Sequence, residues 1–411
     1  MKVAVIFHRF GPYHCARLKG ASQRFAVVGI ELGSETREYE WSKVEQSDSF
    51  EWVTLFPQSD SRSRPVEELE KAMTDALSAC QPDAVAIPGW SDKGALAALR
   101  WCLEKEVPAV LMSESTAIDE PRVWWKEFVK RRILALYSSA LVGGRRQEEY
   151  LVTLGMPSER IWIGYDAVDN DHFARSAKEV ESRKEKVESG LPEPPTHEAM
   201  ACRGNYFLAS ARFIAKKNLF ALIRAYAEYR KKVESRNAKV EVWDLVILGD
   251  GPLRSDLRSL ISDLGLDDFV VMPGFKQYDE LPAYYALAKA FVHPSKSEQW
   301  GLVVNEALAS RLPVLVSERC GCSPELVQDG INGFTFNPGD ETQLTSRLIE
   351  MATLSTEERE RMGEAGREII KEFSPERFGE GLESAARFAV AQPKKHLSWL
   401  DRLILHRMLS R

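Results

Sequence analysis

Glu298 and Glu306 lie eight positions apart, and between them Gly301-Leu302 opens an apolar run with helical character. Such a turn leaves main-chain N–H groups without helical partners. It also puts the positive end of a helix dipole where an anion can sit. Glu306 follows Leu302 by four residues, so it falls one turn deeper on the same helix face. A phosphate at the helix start, with a hydroxylated ring beside Glu306, is what a nucleotide-sugar presents. Leu302 and Val303 are expected to act there through backbone N–H groups, with their side chains in the core. Taken alone, Glu306 reads as an exposed helix glutamate, the usual fate of that residue.

Two cations stand upstream. Arg212 and Lys217 follow the apolar run Tyr206–Ser210, at the point where a loop meets a helix. Cations there can hold a diphosphate and neutralise charge growing on it as a sugar departs. A solvated role is the weaker reading, because positive charge is unfavourable at a helix start. Lys216 competes with Lys217. Gly249 and Gly251 are expected to permit tight turns after a strand, although a plain connection explains Gly251 equally well. Trp300 either shapes the pocket or fills the core. Asn332-Gly333 is a turn signal with no assigned chemistry.

Near the start, Val3–Phe7 runs into a loop bearing His8, Arg9, Gly11, His14 and Arg17. His14 is open to two readings, a phosphate or acceptor ligand and a helix-capping residue. After Ala109–Met112 comes Ser113-Glu114-Ser115, where Glu114 can accept a hydrogen bond from a sugar or cap the next helix.

These residues need elements to position them. Apolar, β-branched runs alternate with helical patterns: Val3–Phe7, Phe25–Ile30, Ala84–Ile87, Ala109–Met112, Ala140–Gly143 and Ile161–Ile163. A second series follows, with Tyr206–Ser210, Trp243–Leu248, Val270–Met272, Ala290–Val292 and Pro313–Val316. Uncharged strands separated by helices predict parallel sheets buried on both faces. The series breaks over 174–202, a charged and then proline-rich linker or insertion. A chain of 411 residues that divides in this way predicts two doubly wound domains, with ligands at the carboxyl ends of the strands.

Composition narrows the function. A net charge of −6 gives no reason to expect nucleic acid as a partner. The six cysteines are scattered; Cys320 and Cys322 lack a matching pair at zinc spacing. They read as reduced thiols of a cytoplasmic protein. MKVAVIFH is too short an apolar run for a signal peptide, and no window suggests a membrane-spanning helix. Two basic amphipathic segments, 122–134 and 394–411, have two roles open: packing, or peripheral contact with a membrane surface. In the first, Trp125, Val129 and Ile133 share one face and Arg122, Lys126 and Lys130 another.

Four stretches, taken in order, resemble the nucleotide-sugar domain of retaining GT-B glycosyltransferases, specifically glycosyltransferase family 4. They are ARFIAKKNLFALIRA from Ala211 to Ala225, Leu248-Gly249-Asp250-Gly251-Pro252, Pro273-Gly274-Phe275, and the E-x7-E pair Glu298 and Glu306. The ordered set is far more specific than any one member. The resemblance implies an α/β GT-B fold, two Rossmann-like doubly wound domains with an interdomain cleft. The acceptor domain would span 1–173 and the donor domain 203–375, with the tail 376–411 packing back on the first. It makes Arg212, Lys217 and Glu298 catalytic, Glu298 by contact with donor-sugar hydroxyls. It gives Glu306 the ribose and leaves Gly301, Leu302, Val303 and Gly249 on the donor side. Phe275 and Lys276 would flank the base.

On the acceptor side the resemblance points to the Gly11 and His14 loop. It also points to the position after the Ala109–Met112 strand, where Glu114 stands in place of the family's histidine. Gly164-Tyr165-Asp166-Ala167-Val168-Asp169 is similar to a family turn and reads as structural. The activity implied is transfer from a nucleoside-diphosphate sugar with retention of configuration, with no protein nucleophile, no metal and no other cofactor. A nucleotide-sugar epimerase and a non-catalytic sugar-nucleotide-binding partner are the alternatives.

Overall fold

The computed structural model describes residues 1–34, 44, 48–175, 205–235 and 241–410. The expected linker at 174–202, from 176 onward, and Cys202 lie outside the described residues. The chain divides into two compact units, one of Met1–Asp169 with Phe373–Arg411 and one of Asn170–Glu372.

The first unit holds seven parallel strands. They are β1 (Lys2–Phe7), β2 (Ala26–Gly33), β3 (Glu51–Phe56), β4 (Ala84–Pro88), β5 (Ala109–Ser113), β6 (Ser139–Val142) and β7 (Ile161–Ile163). They run in the order β3-β2-β1-β4-β5-β6-β7, so the winding reverses between β1 and β4. β1, β4, β5 and β6 are apolar almost throughout because helices cover both faces of the sheet. The strand β3 is absent from the sequence-based series. It is an edge strand whose residues are half-buried or exposed, so EWVTLF lacks the uncharged run that marks its neighbours.

Residues Pro375–Ala391 form a helix packed on this sheet and on the helix Pro12–Ser22. The approach is close: a Cβ on Gly20 would stand 2.2 Å from the Pro375 carbonyl oxygen. Ser139 Oγ donates to the Ala385 carbonyl at 2.8 Å. The helix Trp399–Leu409 adds Leu405 and Leu409 to the same unit's core.

The second unit holds β8 (Tyr206–Ser210), β9 (Asp244–Leu248), β10 (Val270–Gly274), β11 (Ala290–His293), β12 (Val314–Ser317) and β13 (Gly333–Phe336). All pair in parallel, in the order β10-β9-β8-β11-β12-β13. The reversal falls between β8 and β11, and the crevice outside their carboxyl ends is where such sheets bind ligands. The strand β13 is the second one missing from the sequence-based series. Its Asn332-Gly333 start looks like a turn, but Gly333 pairs with Val314. A Cβ at Gly333 would come within 2.0 Å of the Val314 carbonyl oxygen, so a side chain there would force the strands apart.

Candidate functional site

Lys217 ends a short 3-10 turn, Ala215–Lys217, that follows β8. The chain then leaves through Asn218 in the left-handed region, φ 59°. Asn218 is held by a 2.9 Å hydrogen bond from its Nδ2 to the Pro338 carbonyl. The loop after β11 is tied to this turn: Lys296 N–H donates to the Lys216 carbonyl at 2.8 Å. Glu298 therefore arrives beside the two lysines. Lys217 Nζ donates to Glu298 Oε2. Lys216 Nζ lies 3.5 Å from Oε1, and His293 Nε2 lies 3.8 Å from Oε2.

The electrostatics follow from this packing. Burial alone would raise the Glu298 pKa, but Lys217, His293 and Lys216 outweigh it and bring the carboxyl down to about 2. His293 is buried at the end of β11. Burial, then the Lys217 charge, lowers it to about 3 against the opposing pull of Glu298, so it stays neutral at physiological pH. His293 escaped the sequence reading as a site residue. Its one signal was position, as the last residue of a strand beside the reversal.

Gly301 adopts φ 111° and caps the helix Leu302–Ala309. A Cβ there would lie 3.4 Å from His293 Nε2 and 3.6 Å from Glu298 Cγ, so the helix start stands against that cluster. Leu302 and Val303 are half-buried, not enclosed in the core as expected, because they occupy the first turn. One turn on, Glu306 is fully buried, which overturns the reading of an exposed helix glutamate. Tyr285 donates its hydroxyl to Glu306 Oε2 at 2.6 Å. Burial, then the Glu306 charge, holds the tyrosine proton on well above the usual range. Trp300 is buried, with its indole N–H on Asn305 Oδ1 at 2.9 Å, so the ring fills the domain interior.

Gly249 (φ 119°) and Gly251 (φ 152°) press the exit of β9 against the loop that carries Arg212. A Cβ on Gly249 would meet the Ala211 carbonyl oxygen at 2.0 Å, and one on Gly251 the Phe213 oxygen at 2.8 Å. Gly251 is therefore required by close approach and is more than a plain connection. Arg212 is exposed in that loop. Phe275 and Lys276 follow β10; Lys276 Nζ lies 3.9 Å from Glu280 and 5.6 Å from the Tyr284 ring centre. Arg254, which the sequence reading passed over, links the two turns by donating to Asp250 Oδ2 at 2.9 Å and to the Met272 carbonyl at 3.1 Å.

In the first unit, Gly11 N–H donates to His14 Nδ1 at 3.1 Å. The imidazole also packs at a tilt against Phe7, with ring centres 4.4 Å apart and planes at 53°. Burial, then Arg17 and Arg9, lowers its pKa to about 3. The capping reading of His14 is the one this geometry realises. Glu114, half-buried after β5, is hydrogen-bonded to the fully buried Asp166 beyond β7. Burial and the Glu114 charge keep Asp166 protonated far above the carboxylate range, against Arg17, whose Nη2 is 3.6 Å away. Asp166 thus belongs to a buried charged cluster, a finer role than the turn suggested. Among the described residues, Cys15, Cys80 and Cys102 are free thiols.

Residues 198–369 match glycosyl transferases group 1. The match spans somewhat less than half of the chain. The chain is 39% identical over 132 residues to the sulfoquinovosyl transferase SQD2 of Arabidopsis thaliana, covering 31% of this chain and 25% of that protein. With the alpha-D-kanosaminyltransferase of Streptomyces kanamyceticus it shares 27% identity over 60% of this chain and 58% of the relative. The chain thus spans between a quarter and about three fifths of these curated relatives. Among solved structures, Anabaena Alr3699/HepE in complex with UDP and glucose is similar at TM-score 0.67 and 15% identity, covering 93% of this chain and 98% of that one. Sucrose-phosphate synthase from Thermosynechococcus elongatus is similar at TM-score 0.69 and 16% identity, covering 94% and 98%. At these identities the likeness is one of fold, and that fold is GT-B.

Proposed function

We propose that this chain transfers a glycosyl unit from a nucleoside-diphosphate sugar to an acceptor hydroxyl, with retention of anomeric configuration. One observation carries the reading. Lys217, Glu298 and the Gly301 helix start meet at the reversal between β8 and β11. Support also comes from the group 1 domain over 198–369 and from a similar fold whose solved complex holds UDP.

In this proposal Lys217 and Arg212 meet the diphosphate, while the first N–H groups of the helix Leu302–Ala309 face its oxygens. Glu298, ionised at any physiological pH, accepts hydrogen bonds from donor-sugar hydroxyls. Glu306, oriented by Tyr285, accepts the ribose hydroxyls. The acceptor oxygen forms its bond to the anomeric carbon as the bond to the diphosphate oxygen breaks. The acceptor proton passes to that departing oxygen, so no protein nucleophile is required. Fixed cations and backbone dipoles do the work assigned elsewhere to a metal.

The test is a screen of common sugar nucleotides by calorimetry, followed by incubation of the bound donor with acceptor pools and mass spectrometry of the products. A glycosylated product with the donor's anomeric configuration is expected. Epimerised sugar nucleotide from donor alone would establish the epimerase reading instead. Tight donor binding with no product from any pool would establish the non-catalytic one.

A further inference from the structure

Two neighbouring helices of the first unit expose their largest apolar side chains. On Trp124–Leu134, Trp124 is 81% exposed, Phe128 49% and Trp125 43%. On Trp399–Leu409, Trp399 is 76% exposed and Leu403 49%. The helices are joined where the second begins: Arg132 Nε donates to Asp401 Oδ1 at 3.0 Å and its Nη2 to Ser398 Oγ at 3.1 Å. Lys395 Nζ reaches the Ala135 carbonyl at 3.0 Å.

These aromatics are not what packs the helices down. Ile133 and Leu134 on the first helix, and Leu405 and Leu409 on the second, enter the hydrophobic core, with Val129, Ile404 and Met408 packed against it. The inward stripes are complete without the tryptophans. Leaving indoles in water on both helices forgoes the burial that such rings ordinarily gain.

Charge is sorted as well. The exposed ionisable residues of the two helices are Lys126, Arg131, Arg402, His406 and Arg407. The two acids turn inward. Glu127 accepts from the Tyr150 hydroxyl at 2.9 Å and from Lys130 at 3.1 Å, and Asp401 is buried under Arg132. Arg122 and Lys130, expected to stand with Lys126 on an open cationic face, instead lie over the Tyr150 ring. The patch is thus aromatic and cationic on a chain of net charge −6.

We propose that these paired helices dock the chain on the surface of a bilayer that carries anionic lipids. Indole rings suit the headgroup level, and the arginines and lysine meet the negative leaflet. The contact is peripheral: among the described residues no helix is long and apolar enough to cross a membrane. The proposal stands apart from the sugar-nucleotide site, and neither depends on the other.

Vesicle sedimentation of the full chain tests it. The chain is expected to sediment with phosphatidylcholine vesicles containing phosphatidylglycerol, less with phosphatidylcholine alone, and progressively less as salt rises. Arg402→Gln combined with Arg407→Gln should lower partitioning about thirtyfold, the weight of two surface cations. Trp124→Ala combined with Trp399→Ala should lower it about tenfold or more. All four positions are exposed, so the thermal midpoint should hold. Brominated phosphatidylcholine in the mixed vesicles should quench part of the wild-type tryptophan emission, a readout free of any variant. Absence of wild-type sedimentation at low salt, unquenched emission, or variants that bind like wild type would overturn the proposal. A tryptophan-dependent dimer that ignores vesicles would overturn it in favour of a second copy as the occupant.

Discussion

Lys217 and Glu298, 81 positions apart in the chain, are hydrogen-bonded to each other where β8 and β11 end. Each of the two groups proposed to meet the donor is thus held by the other. The ammonium is largely shielded from water at 14% side-chain exposure, and the carboxylate stays ionised because Lys217 and Lys216 stand beside it. A diphosphate would share the lysine with Glu298, and sugar hydroxyls would take over the freed oxygens.

Replacing Lys217 with alanine removes the nearest of these charges. Transfer should fall by about 10²–10³, the weight of one fixed group that meets developing charge. Circular dichroism should be unchanged, since the lysine sits in a surface turn. Donor-dependent release of nucleoside diphosphate gives the rate; a variant that keeps most of it would take Lys217 out of the mechanism.

Glu306 and Tyr285 separate binding from folding. Glu306→Gln should weaken nucleoside diphosphate binding about tenfold or more in calorimetry, through lost charge-assisted hydrogen bonds. Tyr285→Phe strips a donor from a fully buried carboxylate and should lower unfolding free energy by about 1–3 kcal/mol. Urea titration reads that loss; unchanged stability would mean that other groups already satisfy Glu306.

Two glycines offer a matched contrast. Gly249→Ala places a methyl 2.0 Å from the Ala211 carbonyl oxygen at φ 119°, whereas Gly265→Ala, at φ 64°, meets nothing within 4 Å. The second should cost about 1–2 kcal/mol for left-handed backbone alone. The first should cost more, because the β9 exit must also move. Equal midpoints in urea would contradict the close approach.

Acid should unfold the second unit in two overlapping windows. His293 has its folded pKa lowered from 6.5 to about 3, so the unfolded chain binds the proton more readily. Stability is complete above pH 6.5 and declines as pH falls toward 3. Glu298 has its folded pKa lowered from 4.5 to about 2, and its contribution is present above pH 4.5 and lost as pH falls toward 2. The groups that face this pair are Lys217 and Lys216. His293→Gln should flatten the slope of unfolding free energy between pH 6.5 and 4.5 and leave the lower window. An unchanged slope would place the proton uptake elsewhere.

The sheets were largely legible because a strand covered on both faces must be apolar along its length. Val3–Phe7 and Tyr206–Ser210 carry that signature in adjacent residues. Edge strands carry less of it, which is why Glu51–Phe56 and Gly333–Phe336 escaped. Local spacing also placed Gly301 at a helix start and Glu306 one turn below it, since those relations are set within a few residues of backbone.

What the sequence by itself determined is this periodic framework and the ordered turns that recur along it. Tertiary structure alone decided the partners: that Lys217 faces Glu298, that Glu306 is buried under Tyr285, that His14 caps its own helix, and that Trp124 and Trp399 remain outside. The reason is physical. A side chain's charge state and neighbours depend on which loops approach in space and how much water they exclude, and neither quantity is encoded in local spacing.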